Sequence, residues 1–140
     1  MSADVYPNAE LTRRIIAAAQ AVHRELGSGF LESLYQAALY RELLLSGIGV
    51  VQQSPLQVMY RGATVGTFFA DMLVEGGVIC ELKAVKALLP EHESQLIHYL
   101  KATDTSIGLL LNFGAPSLEV KRKIYSRNLR QSGPNPRNLR

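Results

Sequence analysis

The stretch Ala70-Asp71-Met72-Leu73-Val74-Glu75-Gly76-Gly77-Val78-Ile79-Cys80-Glu81-Leu82-Lys83 decides how this chain is read. Apolar runs on either side of Glu75-Gly76-Gly77 have the pattern of two strands joined by a tight loop. If that loop holds three residues, with a glycine in the left-handed position, Val74 pairs with Val78 and Asp71 comes to lie opposite Glu81. Lys83 then falls on the same face, two residues on. The register also gathers Ala70, Met72, Val74, Val78, Cys80 and Leu82 on the other face, all apolar and able to pack against a helix. A two-residue Gly76-Gly77 loop would put Asp71 and Glu81 on opposite faces and mix the two sets, so the hydrophobic pattern selects three.

Like charges directly across a ladder destabilise each other, and a strand pair built for stability alone would avoid them. A hard divalent cation offsets the repulsion, because it takes oxygen ligands from one or two carboxylates and leaves positions for water and phosphate. A lysine beside them can orient or deprotonate an attacking water, or counter charge developing on a phosphoryl oxygen. A solvated strand face carrying a simple Glu-Lys pair fits the same three residues, and their spacing alone does not separate the two readings.

Upstream of the hairpin, Leu11, Ile15, Ala18, Val22 and Leu26 recur at helical spacing behind Asn8, which predicts a capped helix from Ala9 to Leu26. Gly27-Ser28-Gly29 breaks it. Leu31, Leu34, Ala38 and Leu45 then mark one face of a second helix ending near Ser46-Gly47, with Glu32, Tyr35, Gln36 and Leu39 on a neighbouring face. From Ile48 the period shortens to β-rich runs over 48–53, 56–60, 64–74 and 78–83, separated by Ser54-Pro55, Arg61-Gly62 and the glycine loop, an antiparallel meander. Pro90 opens a third helix to about Ala102, and Ser106 to Asn112 reads as a buried strand. The expected order is ααββββαβ.

Length bounds the rest: 140 residues suffice for one domain, assigned to residues 1–125, with a basic, disordered tail over 126–140 in which Arg-Asn-Leu-Arg occurs twice. Net charge divides unevenly. Residues 2–117 carry eight basic and eleven acidic side chains, and residues 118–140 carry seven basic and one acidic, so a cationic end suited to polyphosphate follows an acidic body. The single cysteine, Cys80, excludes an internal disulfide and reads as a buried small hydrophobe. With neither leader nor spanning segment in sight, the expectation is a cytoplasmic protein without a membrane partner. His23, His92 and His98 lack the i, i+4 spacing of a metal-binding helix and read as helix-surface residues. No Walker A loop, dinucleotide fingerprint or Ser-His-Asp signature occurs.

Four separate motifs now line up. Gly29-Phe30-Leu31-Glu32-Ser33-Leu34-Tyr35, Ala70-Asp71, Glu81-Leu82-Lys83 and Gln95-Leu96-Ile97-His98-Tyr99-Leu100 together resemble the GxxExxY family of the PD-(D/E)xK nuclease superfamily, from about Ile15 to Phe113. One departure is Ala70 in place of the superfamily's proline, a position that touches backbone rather than chemistry. The resemblance implies a restriction-endonuclease-like α/β (α+β) fold, an αβββαβ core whose mixed sheet is flanked by helices, here with an extra N-terminal helix. It implies Mg²⁺, with Mn²⁺ as a substitute, held by Asp71, Glu81 and Glu32. Lys83 would serve the water and Gln95 would support the site, with Tyr35 and Tyr99 beside them on their helices. The implied activity is metal-dependent phosphodiester hydrolysis, of DNA in preference to RNA, and by analogy a homodimer when both strands of a duplex are cut. Two other readings stay open at this stage: a catalytically silent nucleic-acid-binding module on the same fold, and a regulatory protein whose acidic face docks a basic partner.

Overall fold

The computed structural model describes residues 7–126. Its elements run α1 (Ala9–Leu26), α2 (Glu32–Leu45), β1 (Val50–Tyr60), β2 (Ala63–Val74), β3 (Val78–Lys83), α3 (Pro90–Thr103), β4 (Ile107–Asn112) and β5 (Glu119–Ile124). The strands form one sheet in the order β1-β2-β3-β4-β5. β1, β2 and β3 are successively antiparallel; α3 then crosses over to lay β4 parallel to β3, and β5 returns antiparallel to β4. From α2 to β4 the order is αβββαβ, the restriction-endonuclease-like core, with α1 added before it and β5 after.

Two expectations about the strands are corrected. Ser54-Pro55 does not divide two strands: Pro55 sits within β1 opposite Phe69, so three strands rather than four precede α3. β1 lies at the sheet edge, where a residue without an N–H is tolerated. The segment Glu119–Ile124, read only as charged sequence, is a strand paired with β4 from Asn112↔Glu119 to Ile107↔Ile124. Every residue of β4 is buried, so its second edge needs a partner for its backbone groups. The tail expected to be disordered, with its repeated tetrapeptide, lies outside the described residues beyond Ser126.

Helix α1 buries Ile15, Ala18 and Val22 as its spacing requires. Asn8 does precede it, but in a left-handed conformation (φ 54°) with no side-chain cap. Helix α2 turns a different face inward than expected, leaving Leu31, Leu34 and Leu45 exposed and burying Tyr35, Leu39 and Leu43. Its sequence is apolar on both sides, so periodicity could not choose. Tertiary contacts do: Tyr35 stacks on Phe113 at 4.8 Å between ring centroids, and its hydroxyl donates to the Gly27 carbonyl and accepts the Phe30 N–H. His23 is also not on the surface; it is buried, with Nε2 2.9 Å from the Ala115 carbonyl oxygen.

The helices cover opposite faces of the sheet. α1 and α2 pack on Met72, Val74, Val78, Cys80, Leu82, Ile107, Leu109 and Leu111, whereas Leu96 and Leu100 of α3 pack on Ile79, Leu110 and Ala70. Ala70 therefore leaves the apolar set to which strand alternation assigns it, since Met72, two residues on, faces the other layer. The neighbouring strand changes sides at the same level, with Val50 in the first layer and Leu56 in the second despite equal parity. Between these residues the β1–β2 pairing passes from Gln52↔Met72 to Ser54↔Ala70 without a Gln53–Asp71 pair, and Gln53 is left-handed (φ 47°). The ribbon flips over at Gln53 and Asp71.

Beyond β3 the chain is clamped from below. Asn112, fully buried, accepts N–H groups from Val85 (2.9 Å) and Gly114 (3.0 Å) and donates to the Val85 carbonyl (2.9 Å) and the Glu119 carboxylate (2.7 Å), which also accepts the Leu88 N–H. A Cβ on Gly114 would lie 2.4 Å from both backbone N and O of Val85. Gly114→Ala is therefore expected to lose about 1–3 kcal/mol through the forced shift of that loop. Urea unfolding of the two proteins checks this, and an unchanged midpoint would contradict the close approach.

Candidate active site

The loop that sets the register has three residues, as expected. Val74 pairs with Val78, and Gly77 N–H donates to the Val74 carbonyl at 3.0 Å. Glu75 as well as Gly76 is left-handed (φ 52° and 68°), a conformation that Glu75 adopts while tied twice to Gly49: its N–H reaches the Gly49 carbonyl (2.8 Å) and its carboxylate accepts the Gly49 N–H (2.6 Å).

The β2–β3 ladder runs through Leu73↔Ile79 to Met72↔Cys80 and then stops. One step further the same register sets Asp71 against Glu81, and side chains take over from backbone. Glu81 Oε2 accepts the Asp71 N–H at 3.0 Å, while Asp71 Oδ2 accepts the Leu82 N–H at 2.8 Å. Each carboxylate is thus fastened to the strand of the other. Charge-assisted bonds of this kind are stronger than the neutral ladder bonds they replace.

Glu81 is only 9% exposed, and burial, reinforced by the neighbouring Asp71 charge, pushes its pKa up to about 7. Glu32 adds to the rise and Lys83 opposes it, so both charges are felt at this carboxylate. Lys83 is half-buried at the end of β3, where its carbonyl accepts the Phe113 N–H at 2.8 Å. Glu32 is exposed at the first position of α2. Tyr99, from α3 on the opposite side, stacks on Phe68 at 3.7 Å, and burial together with the Glu81 and Asp71 charges raises its pKa. Gln95 is exposed one turn earlier on α3 and makes no hydrogen bond to the acids among the described residues. Tyr35 acts at one remove, holding the loop from which α2 and Glu32 start. Cys80 is fully buried, and burial first, then Glu81 and Asp71, raises its thiol pKa, which fits an inert core residue.

Three amides that spacing did not single out as site residues gather around Asp71. Gln36 Nε2 donates to the Asp71 carbonyl (3.3 Å) and to Gln52 Oε1 (3.3 Å), and Gln53 Nε2 donates to Gln36 Oε1 (3.3 Å) and Asp71 Oδ1 (3.5 Å). Gln36 lay on the same helix face as Glu32, which was a usable signal. Gln53 carried none, because its position depends on the ribbon flip.

Among the described residues no three His, Cys, Asp or Glu side chains close into a ready ion cage, so Asp71, Glu81 and Glu32 do not form one as they stand. The donors nevertheless suit a hard cation that keeps several waters: two adjacent carboxylates, one of them buried and electrostatically strained, each with one oxygen not committed to an opposing backbone N–H.

A family model described as the PD-(D/E)XK nuclease superfamily matches residues 9–123, and the chain belongs to that superfamily. Its members are usually nucleases and generally use divalent metals. Among solved structures, the crystal structure of SSO0001 superposes with a TM-score of 0.51 at 15% identity, covering 89% of this chain and 62% of that one, and so shares the fold. The chain spans 62% of the length of that protein. No curated protein matches the sequence. Among the described residues no helix is long and apolar enough to cross a membrane.

The Glu81 pKa has a thermodynamic consequence. Because it is raised from 4.5 to about 7 in the folded chain, the native state holds the proton more tightly, and the Glu81 contribution to stability falls as pH rises from about 4.5 to about 7. In chelator at pH 8, Glu81→Gln should therefore be more stable than the wild type, by up to roughly 3 kcal/mol, with the difference vanishing near pH 4. Thermal unfolding at the two pH values measures it; a Gln variant less stable at pH 8 would contradict a strained carboxylate.

Proposed function

We propose that this chain is a Mg²⁺-dependent nuclease of the GxxExxY branch, hydrolysing phosphodiester bonds in DNA in preference to RNA, in the cytoplasm. The observation that carries the reading is the reciprocal fastening of Asp71 and Glu81, two like-charged groups held together where the β2–β3 ladder ends. A protein gains no stability from that arrangement unless a cation relieves it.

In this reading Asp71 and Glu81 hold the divalent ion and Glu32 adds a carboxylate from α2. The ion, when bound, supplies Lewis acidity to the scissile phosphoryl group. Lys83 stands on the face of Glu81, two residues on, where its ammonium positions water for attack and counters charge on the phosphoryl oxygens. Tyr99 lines the opposite side from α3, with Gln95 one turn away reaching a bound substrate rather than the acids. The amides of Gln36 and Gln53 keep Asp71 aimed. Cutting both strands of a duplex would take two copies of the chain.

Purified chain, incubated with single- and double-stranded DNA and RNA in Mg²⁺ or Mn²⁺, should cleave DNA and stop in EDTA. Asp71→Asn, Glu81→Gln and Lys83→Met should each lower the rate on the order of 100-fold while remaining folded. Calorimetric titration should show Mg²⁺ binding to the wild type that Asp71→Asn loses. Binding of nucleic acid without cleavage of any substrate, unaffected by EDTA, would instead support the silent binding module.

A further inference from the structure

The β2–β3 pairing covers Met72 to Val74 alone, so the part of β2 before Asp71 continues with β1 as a two-stranded arm. One side of this arm is turned to α3. Ala70 packs there with Leu96 and Leu100, Leu56 joins the same cluster, and Phe68, paired with Leu56 and two residues from Ala70, shares that face. Phe69, of the opposite parity, is 58% exposed. Phe68 is half-buried against Tyr99, with ring centroids 3.7 Å apart and 15° between the planes.

Two features separate this stack from ordinary core packing. Aromatic pairs left to themselves choose offset or edge-on arrangements with centroids roughly 4.5–7 Å apart. A nearly parallel pair at 3.7 Å is therefore imposed by the placement of β2 against α3. Tyr99, for its part, is not a core residue. Leu96 and Leu100 take the buried positions of α3, whereas Tyr99 is half-buried and feels the charges of Glu81 and Asp71, and its hydroxyl makes no hydrogen bond among the described residues. A tyrosine so placed on a helix has more than one staggered rotamer open to it, and a ring laid flat against it removes that freedom. What the stack fixes is thus the direction of a hydroxyl with no partner in the protein, within the field of the two acids.

We infer that Phe68 is a positioning residue for the reaction: its ring holds the Tyr99 ring so that the Tyr99 hydroxyl donates to a phosphoryl oxygen of the substrate at Asp71 and Glu81. The inference rests on the proposed function for the nature of that substrate. Phe68 touches no reacting atom and acts through Tyr99. The acids do not depend on the stack, because each is fastened to the opposing strand by a backbone N–H. Loss of Phe68 should therefore reach the rate and leave the metal affinity alone.

Single-turnover cleavage by the full chain with Mg²⁺, on the nucleic acid that the wild type cuts, tests it in a double-mutant cycle. Phe68→Leu and Tyr99→Phe should each lower the rate at saturating substrate about 10-fold through lost orientation, and the double variant should fall less than about twofold below either. Phe68→Tyr, which keeps the ring, should stay within about twofold of the wild type, as should the Mg²⁺ affinity of Phe68→Leu measured by calorimetry. Thermal melting sets the temperature at which every variant is folded, and Phe68→Met replaces Phe68→Leu if the latter unfolds. An unchanged rate in Phe68→Leu, a Phe68→Tyr rate equally low, or a weakened Mg²⁺ affinity would overturn the inference. So would losses that multiply to about 100-fold in the double variant, the mark of a residue that only packs the arm. In all four cases the wild type still cleaves and the nuclease reading stands; a wild type that cleaves no substrate removes that reading and this inference together.

Discussion

Two carboxylates side by side in a partly dry setting repel, and left to themselves they would swing toward water. Here neither can. Asp71 is fastened to Leu82 N–H and Glu81 to Asp71 N–H, so the acids themselves span the gap where the backbone ladder has ended. Their separation is therefore a property of the sheet and not of side-chain rotamers. That gap exists because the β1–β2 ribbon turns over at Gln53 and Asp71, moving Ala70 to the α3 layer while Met72 stays under α1 and α2. A flat, regular sheet of the same sequence would continue the ladder through Asp71 and Glu81.

The two helical layers meet the site from opposite sides at this turnover. From one layer α2 carries Gln36, bonded to the Asp71 carbonyl, and Glu32, whose charge is felt at Glu81; from the other α3 carries Tyr99, which feels the charges of both acids. The supports are remote from the chemistry and are packed or fully hydrogen-bonded. Tyr35, stacked on Phe113, sets the start of α2, and Asn112 with Glu119 holds the segment between Lys83 and α3. Residues that look polar or aromatic enough to be catalytic thus divide into those that face the acids and those that hold the elements presenting them.

The strain at Glu81 is a cost to the stability of the fold. Burial disfavours its ionised form, Asp71 adds to that, and Lys83 and the Asp71 N–H only partly compensate. A site optimised for the empty protein would carry an amide at this position. Keeping an acid there is consistent with a site whose low-energy state includes a cation, and the cost resides where the function is expected to lie.

Much of this was legible before any coordinates. Alternation on both sides of Glu75-Gly76-Gly77 determined the loop length, and loop length determined that Asp71 would meet Glu81, because a side-chain period of two admits no other partner once the apolar faces are matched. Helix α1 was readable for the same reason, being apolar on one side only. Helix α2, with apolar residues on both sides, was not: its inward face depends on Phe113, almost eighty residues away. Nor could local pattern reveal that β1 continues through Pro55, that Glu119–Ile124 completes the sheet, or that Gln53 reaches Asp71. Each of these depends on which strand lies next to which, and on a turnover of the ribbon set by two packed layers together. Sequence determines registers and faces where one residue pattern satisfies one neighbour; tertiary structure decides wherever several neighbours compete for the same residue, because packing and backbone hydrogen bonding are settled jointly across the sheet.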